Sequence, residues 1–311
     1  MAAPQLSSTY IAKSIQNAAI AYRNARYIAP EIFPIVTVPE RQGKYFTFDS
    51  GEIVQDAASP NRQPGTDAPR GGYTATNASF ECEEWAFAHE VPDEIIEQSD
   101  SVIQPLERGI EFAIEKSLLR RERRTAEVAF VASTWNGGTD ASGFTQWSDL
   151  SNCDVVSDIN TGVDTILQNT GWQANTLLIG RQVWSKLLIN PDLKDAIKYV
   201  TRADQAALEM AVAGWMGLEK IIVGGASYNA AAEGATTSRE FIWGKNALLF
   251  YRPSAPAKNE PAAGYLFQQK DIVTDSWRED SPHQTVVQAS ICGVPVMTAS
   301  KAGYYFPSVV A

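Results

Sequence analysis

The chain has 311 residues, 44% of them hydrophobic, with 8 Trp and a formal net charge of −10. That size buries a large core in one or two domains, and the acidic balance argues against a sequence-reading nucleic-acid protein, which needs a basic footprint. No apolar run approaches the roughly 18 residues of a membrane helix, no basic-then-apolar leader opens the chain, and Cys82, Cys153 and Cys292 form no CxxC pair, so a soluble cytoplasmic product with three small buried cysteines is expected.

In chain order, Ile11, Ile15, Ala18 and Tyr22 recur at helical spacing and predict an amphipathic arm over residues 9–28, stopped by Pro30. Lys13, Arg23 and Arg26 precede the first acid, Glu31, and read either as a solvated helix face or as a basic arm able to touch phosphates. From Glu31 to Pro39 the prolines and β-branched residues favour an extended path. Two alternating arms follow: Lys44, Phe46 and Phe48 against Tyr45, Thr47 and Asp49, then a return from Phe80 to Val91. The apolar parity of the return arm changes between Cys82 and Trp85, which predicts a β-bulge at Glu83 and Glu84. Between the arms, Ala57 to Asn77 holds Pro60, Pro64, Gly65, Pro69, Gly71 and Gly72, a turn-rich tip. A two-stranded ribbon about 45 Å long is marginally stable alone, so it is expected to lie on another subunit.

The stretch from Ser101 to Thr134 predicts a long helix capped by Ser101, with Pro105 in its first turn and a stripe through Ile103, Leu106, Ile110, Ala113, Ile114 and Leu118. A second set, Phe112, Leu119, Ala126 and Phe130, predicts cover on more than one side. Roughly 30 residues would span about 45 Å. Its charges segregate, Glu107, Glu111 and Glu115 before Lys116, Arg120, Arg121, Arg123 and Arg124. Such segregation fits either partners in other layers or subunits, or an ordinary solvated face.

After a glycine-bearing loop from Trp135 to Ser151, a compact α/β region is expected. Helices are predicted over Asp154 to Gln168, Val183 to Leu188, Pro191 to Tyr199 and Ala203 to Met216. Strands are predicted over Asn175 to Gly180, Glu219 to Val223 and within Glu240 to Tyr251, with a small-residue loop from Gly224 to Ser238. Three antiparallel strands close the chain: Gly264 to Gln268, Thr285 to Ile291 and Val294 to Thr298.

Chemistry is sparse. His89 and His283 are the only histidines, which removes a His-rich metal site, and His89 reads as a packing residue beside Trp85 and Phe87. Gly224-Gly225 and Gly244-Lys245 resemble fragments of a phosphate loop without its remaining residues. Asp154 and Asp158 suit a helix N-terminus, Asp164 lies farther along the same helix, and Asp93 with Glu94 would be an acid/base pair only inside a pocket. Asn77-Ala78-Ser79 is a sequon that a cytoplasmic chain would not use. No catalytic, cofactor-binding or metal residue is assigned, and no cofactor is expected.

The order of parts, with local sequence, nevertheless resembles a known family. The carriers are Trp147-Ser148-Asp149 with Ser151-Asn152, Asp158-Ile159, Thr170-Gly171 and the run from Asn175 to Gly180. Val183 to Leu187, Asn190 to Asp195, Phe241 to Lys245 and Leu248 to Tyr251 continue it. Together they resemble the major capsid protein of tailed bacteriophages, the Johnson fold, over nearly the whole chain. The resemblance implies an α+β fold with an N-terminal arm (1–40), an extended β-hairpin loop (41–91), a peripheral domain with the spine helix (92–137), an α/β axial domain (138–261) and peripheral return strands (262–311).

It further implies a non-enzymatic structural protein that self-assembles as pentamers and hexamers into an icosahedral virion shell around double-stranded DNA, built in the host cytoplasm. Expected partners are other copies, a separate scaffold, a portal, a decoration protein and non-specifically touched DNA, with no membrane. Two features depart from some family members: no long scaffolding segment precedes the arm, and Lys44, the sole lysine of the hairpin, lies near its base, so cross-linking is not carried over. The alternatives are a nanocompartment shell of the same fold enclosing cargo enzymes and, from another class, a cytosolic α/β enzyme.

Overall fold

The computed structural model describes residues 27–48, 67, 75–98, 104–137, 143–196, 205–232, 234–255 and 262–311. The expected arm helix with Lys13, Arg23 and Arg26, the hairpin tip up to residue 74 apart from Asp67, and the Ser101 cap lie outside the described residues. The first half contains α1 (Ala29–Ile32), β1 (Ile35–Thr37), β2 (Gln42–Phe48), β3 (Ala75–Glu81), β4 (Glu83–Pro92), α2 (Asp93–Gln98), α3 (Pro105–Ala129) and β5 (Asn136–Gly137). Next come α4 (Val155–Thr170), β6 (Thr176–Gly180), α5 (Arg181–Leu187), α6 (Pro191–Ala196), α7 (Gln205–Trp215) and β7 (Lys220–Gly224). The chain ends with β8 (Ser227–Asn229), β9 (Arg239–Phe241), β10 (Ala247–Phe250), β11 (Gly264–Glu279), β12 (Gln284–Met297) and β13 (Gly303–Phe306).

Two sheets organise these elements. The first has the order β1-β11-β12-β4, with β1 parallel to β11 and the other pairs antiparallel. The spine α3 lies on it, packing Ile110, Ala113, Ile114 and Leu118 against Val287 and Ala289 of β12. The second has the order β5-β13-β10-β6-β7. Both of its faces are covered, so its strands read as continuous apolar runs rather than alternating ones. Leu177, Ile179, Ile221 and Leu249 face a core with Ile159 and Ile166 of α4, whereas Leu178, Ile222, Leu248 and Phe250 face the C-terminal end of α3, Trp135 and the segment around Ile32. Burial of α3 on two sides is thus confined to its second half, and Phe112 in its first half stays 44% exposed.

Local chemistry explains the ends of α4. The Asp154 carboxylate accepts from the Ser157 N–H at 3.0 Å, and Gly171 turns left-handed at φ 73° while donating to the Leu167 carbonyl at 2.8 Å.

Several sequence expectations are corrected. Pro30 sits in the first turn of a short helix, where its missing N–H is not needed for an internal bond, so the path from Glu31 begins helical rather than extended. The spine has 25 residues and spans about 38 Å, since Gln104 is its N-cap and the Phe130 N–H closes it on Ala126. No bulge lies at Glu83 and Glu84, which pair regularly with Gly293 and Cys292. The parity change arises at Cys82, where the strand exchanges partners: β3 pairs with β2, and β4 pairs with β12. The register irregularity sits across the sheet, in β11 between Gln268 and Val273. The closing segment forms two long strands rather than three, because Cys292 and Gly293 continue the ladder in place of a turn. Glu240 to Tyr251 splits into β9 and β10 around Gly244, whose φ is 49°, and the small-residue loop contains β8.

Candidate functional site

The residues singled out for chemistry do not converge. His89 is half-buried with its ring 5.5 Å from that of Phe112 on the spine, and the backbone of His283 turns at φ 48° between β11 and β12. The Asp93 carboxylate receives two bonds from the Arg278 guanidinium, at 3.1 and 2.7 Å, and this pairing holds it below the usual carboxylate range. Asp154 caps α4, Asp164 is exposed, and Asp158 accepts from the Trp147 indole at 2.9 Å while burial pushes its carboxyl up. Gly224 is a packing residue: a Cβ there would stand 2.2 Å from the Trp243 ring. Its ladder partner Gly180 would likewise meet the Gly244 carbonyl at 2.0 Å, so this glycine pair admits the Trp243-Gly244 turn over the sheet end. Cys82 and Cys292 are buried and Cys153 half-buried. Burial, and Cys292 nearby, push the Cys82 thiol up.

Among the described residues, no three His, Cys, Asp or Glu side chains gather to hold a metal, and no helix is long and apolar enough to cross a membrane.

What the sequence reading missed is Glu122. It is fully buried in the middle of the spine, where Oε1 accepts from the Ile28 N–H at 3.0 Å and the Trp243 indole at 2.7 Å, and Oε2 from the Ala29 N–H at 2.9 Å. These donors and Arg121 offset a strong upward push from burial, which leaves the carboxyl above its ordinary range. Two turns earlier on the helix, Glu115 accepts from the Tyr27 hydroxyl at 2.6 Å. The segment from Tyr27 to Ala29 is therefore clipped along α3, and Glu122 joins three parts: that segment, the spine and the second sheet's Trp243 turn. The signal was an acid inside an apolar stripe, Leu118, Glu122, Ala126 and Ala129, at spacings of four, four and three.

Around the hairpin base, the basic half of the spine answers to its own chain. Arg124 bonds Glu83 at 2.8 Å and lies over the Trp85 ring, Arg123 stacks 4.6 Å from the Tyr228 ring, and Arg41 pairs with Glu84. Phe80 stacks on Phe267 at 4.2 Å, seating the base of the hairpin on β11. The acidic half leaves Glu107 and Glu111 exposed beside Phe112, and Phe87 of β4 is 37% exposed next to that ring. These surfaces suit contact between macromolecules rather than enclosure of a small substrate.

No protein-family model matches the sequence. The chain is 28% identical over 307 residues to the major capsid protein of Pseudomonas phage JBD67, covering 94% of this chain and 95% of that protein. To the major capsid protein of Burkholderia phage BcepMu it is 26% identical over 312 residues, covering 95% of each. The chain is thus similar to phage major capsid proteins along nearly its whole length. Solved structures share its fold: a phage-related protein from Bordetella bronchiseptica superposes with a TM-score of 0.71 at 21% identity, covering 96% of this chain and 98% of that one. A subunit of the mature capsid of bacteriophage PhiM1 superposes with a TM-score of 0.60 at 9% identity, covering 92% and 88%. In this capsid fold the three buried tryptophans of the resemblance motifs, Trp147, Trp184 and Trp243, are core residues.

Proposed function

We propose that this chain builds the head shell of a tailed phage, assembling as pentamers and hexamers into an icosahedral container for double-stranded DNA. The observation that carries this reading is the relationship to phage major capsid proteins along nearly the whole of both chains. The two sheets support a division into peripheral and axial parts. The spine with β11 and β12 fits residues 92–137 with 262 onward as the peripheral part, to which β1 and β4 add their strands, and β6, β7 and β10 fit 138–261 as the axial part, with β5 at the edge of the same sheet. β13 hydrogen-bonds into the second sheet, so on this reading residues 303–306 return to the axial part. Within residues 41–91 the ribbon up to Glu81 serves as the extended loop over a neighbour, since β4 pairs with β12 of the same chain, and within 1–40 the arm precedes β1, which pairs with β11. The role is structural rather than enzymatic: assembly runs in the host cytoplasm with a separate scaffold and a portal, a decoration protein can follow, and packaged DNA is touched without sequence preference.

Electron microscopy of the purified chain, alone and co-expressed with its genomic neighbours, tests this. Closed shells or rings of five and six, with DNA inside after packaging, are the expected result. Small shells filled with protein would give the nanocompartment role, and uniform small particles under every condition would sink shell building.

A further inference from the structure

We propose that an open groove between α5 and the turn joining β9 to β10 is a docking surface for an acidic, apolar-bearing patch on a neighbouring copy of this chain. The inference rests on the shell reading above and names residues of one contact. Arg181 and Lys186 of α5 and Lys245 of the turn line a depression of about 400 Å³, with Gln182, Phe241 and Val310. No acidic side chain lines it, and none of the three cations makes an ion pair with another described residue. Ser185 and Ala311 complete the lining, so on a chain with 36 acids against 26 bases these are three cations with no acidic side chain among them.

Two features choose the occupant. Phe241 is 40% exposed at the groove, and an aromatic wall beside cations gains more from a protein surface than from a duplex phosphate backbone. A second copy carries a complementary pattern on α6, where exposed Asp192 and Asp195 outnumber exposed Lys194 and follow closely in the chain on Ile189, which is 46% exposed. A groove on one copy meeting a different patch on the next is a heterologous contact, the kind that closes into rings. Charge complementarity of this sort sets the speed and register of association more than its final strength.

The test uses the full chain. Shells are formed from a mixture of ordinary and heavy-isotope-labelled copies, treated with a zero-length carbodiimide that joins amines to carboxylates, and read by mass spectrometry. Expected are links from Lys186 or Lys245 of one isotope to an acid of the other. In parallel, the double variant Lys186→Glu with Lys245→Glu should assemble about tenfold more slowly at low salt, with the thermal midpoint of the subunit unchanged. Reversing the linked acid to lysine should restore the rate. Wild-type-like assembly of the double variant without inter-copy links overturns the proposal. So do normal shells with reduced DNA content, which would assign the groove to nucleic acid. A wild-type chain that forms no ring or shell overturns the shell reading and the groove together, whereas wild-type shells indifferent to the groove overturn the groove alone.

Discussion

Taking a carboxylate out of water costs several kcal/mol unless donors replace the lost hydration, and at Glu122 the Ile28 and Ala29 amides and the Trp243 indole do so. Glu122→Ala leaves three buried N–H groups without an acceptor and should lower subunit stability by about 3–5 kcal/mol, measured by urea denaturation. Glu122→Gln keeps the volume but turns an amide nitrogen toward donors, so a loss of about 1–3 kcal/mol is expected. The pH dependence has a definite sign. Burial raises the carboxyl in the folded chain above its ordinary value near 4.5, so folding favours the protonated form. The contribution of that proton is fully present below about 4.5 and is lost as pH rises through the raised folded value. The stability difference between wild type and Glu122→Gln should therefore shrink with rising pH across that window. Asp93, held low by Arg278, and Asp158, pushed up by burial, titrate alike in both proteins and cancel from the difference. A difference that is flat or grows with pH would contradict the burial account.

At the scale of elements, close approach does what propensity alone does not. Gly224 and Gly180 end adjacent strands under the Trp243-Gly244 turn, and Gly224→Ala drives a methyl into a fully buried indole. A loss of about 1–3 kcal/mol is expected, while Gly225→Ala, with nothing within 4 Å of the new carbon, should stay within about 0.5 kcal/mol. Thermal midpoints of the two variants decide it, and equal midpoints would remove the packing role of Gly224. The same contrast explains what was legible in the sequence. α4 could be read because Asp154, the stripe through Ile159 and Ile166, and Gly171 are all local to it. The inner strands β6 and β10 were readable because burial on both faces leaves unbroken apolar runs. The partner exchange at Cys82 looked like a bulge because either event shifts the apolar face, and only the identity of the second partner tells them apart. β11 is not legible beyond Gln268 since its far half is mostly half-buried, with Lys270, Asp271, Trp277 and Arg278 exposed and Thr274 alone buried, so no apolar alternation marks it. Glu122 was hidden among the spine's charges because its donors arrive from 93, 94 and 121 residues away.

For the whole molecule, assembly must bring many copies of net charge −10 into contact, against a repulsion that acts over a Debye length of about 10 Å at 0.1 M salt. Apolar attraction, of the kind that exposed side chains such as Phe87 and Phe112 can offer, is short-ranged and cannot offset that repulsion until copies have already met. Raising salt from low ionic strength should therefore speed shell formation by the wild-type chain. The groove of Arg181, Lys186 and Lys245 acts in the opposite sense, since its attraction for acids is screened by the same ions. The two effects partly cancel in the wild type. With Lys186→Glu and Lys245→Glu the attraction is gone and each copy is more acidic, so the acceleration by salt should be steeper and the two rates should converge near 1 M, where the Debye length is about 3 Å. Light scattering over a salt series measures both slopes. Parallel slopes would mean that the groove contributes no charge-dependent step, and a wild-type rate that falls with salt would mean that local attractions outweigh the net repulsion from the first encounter.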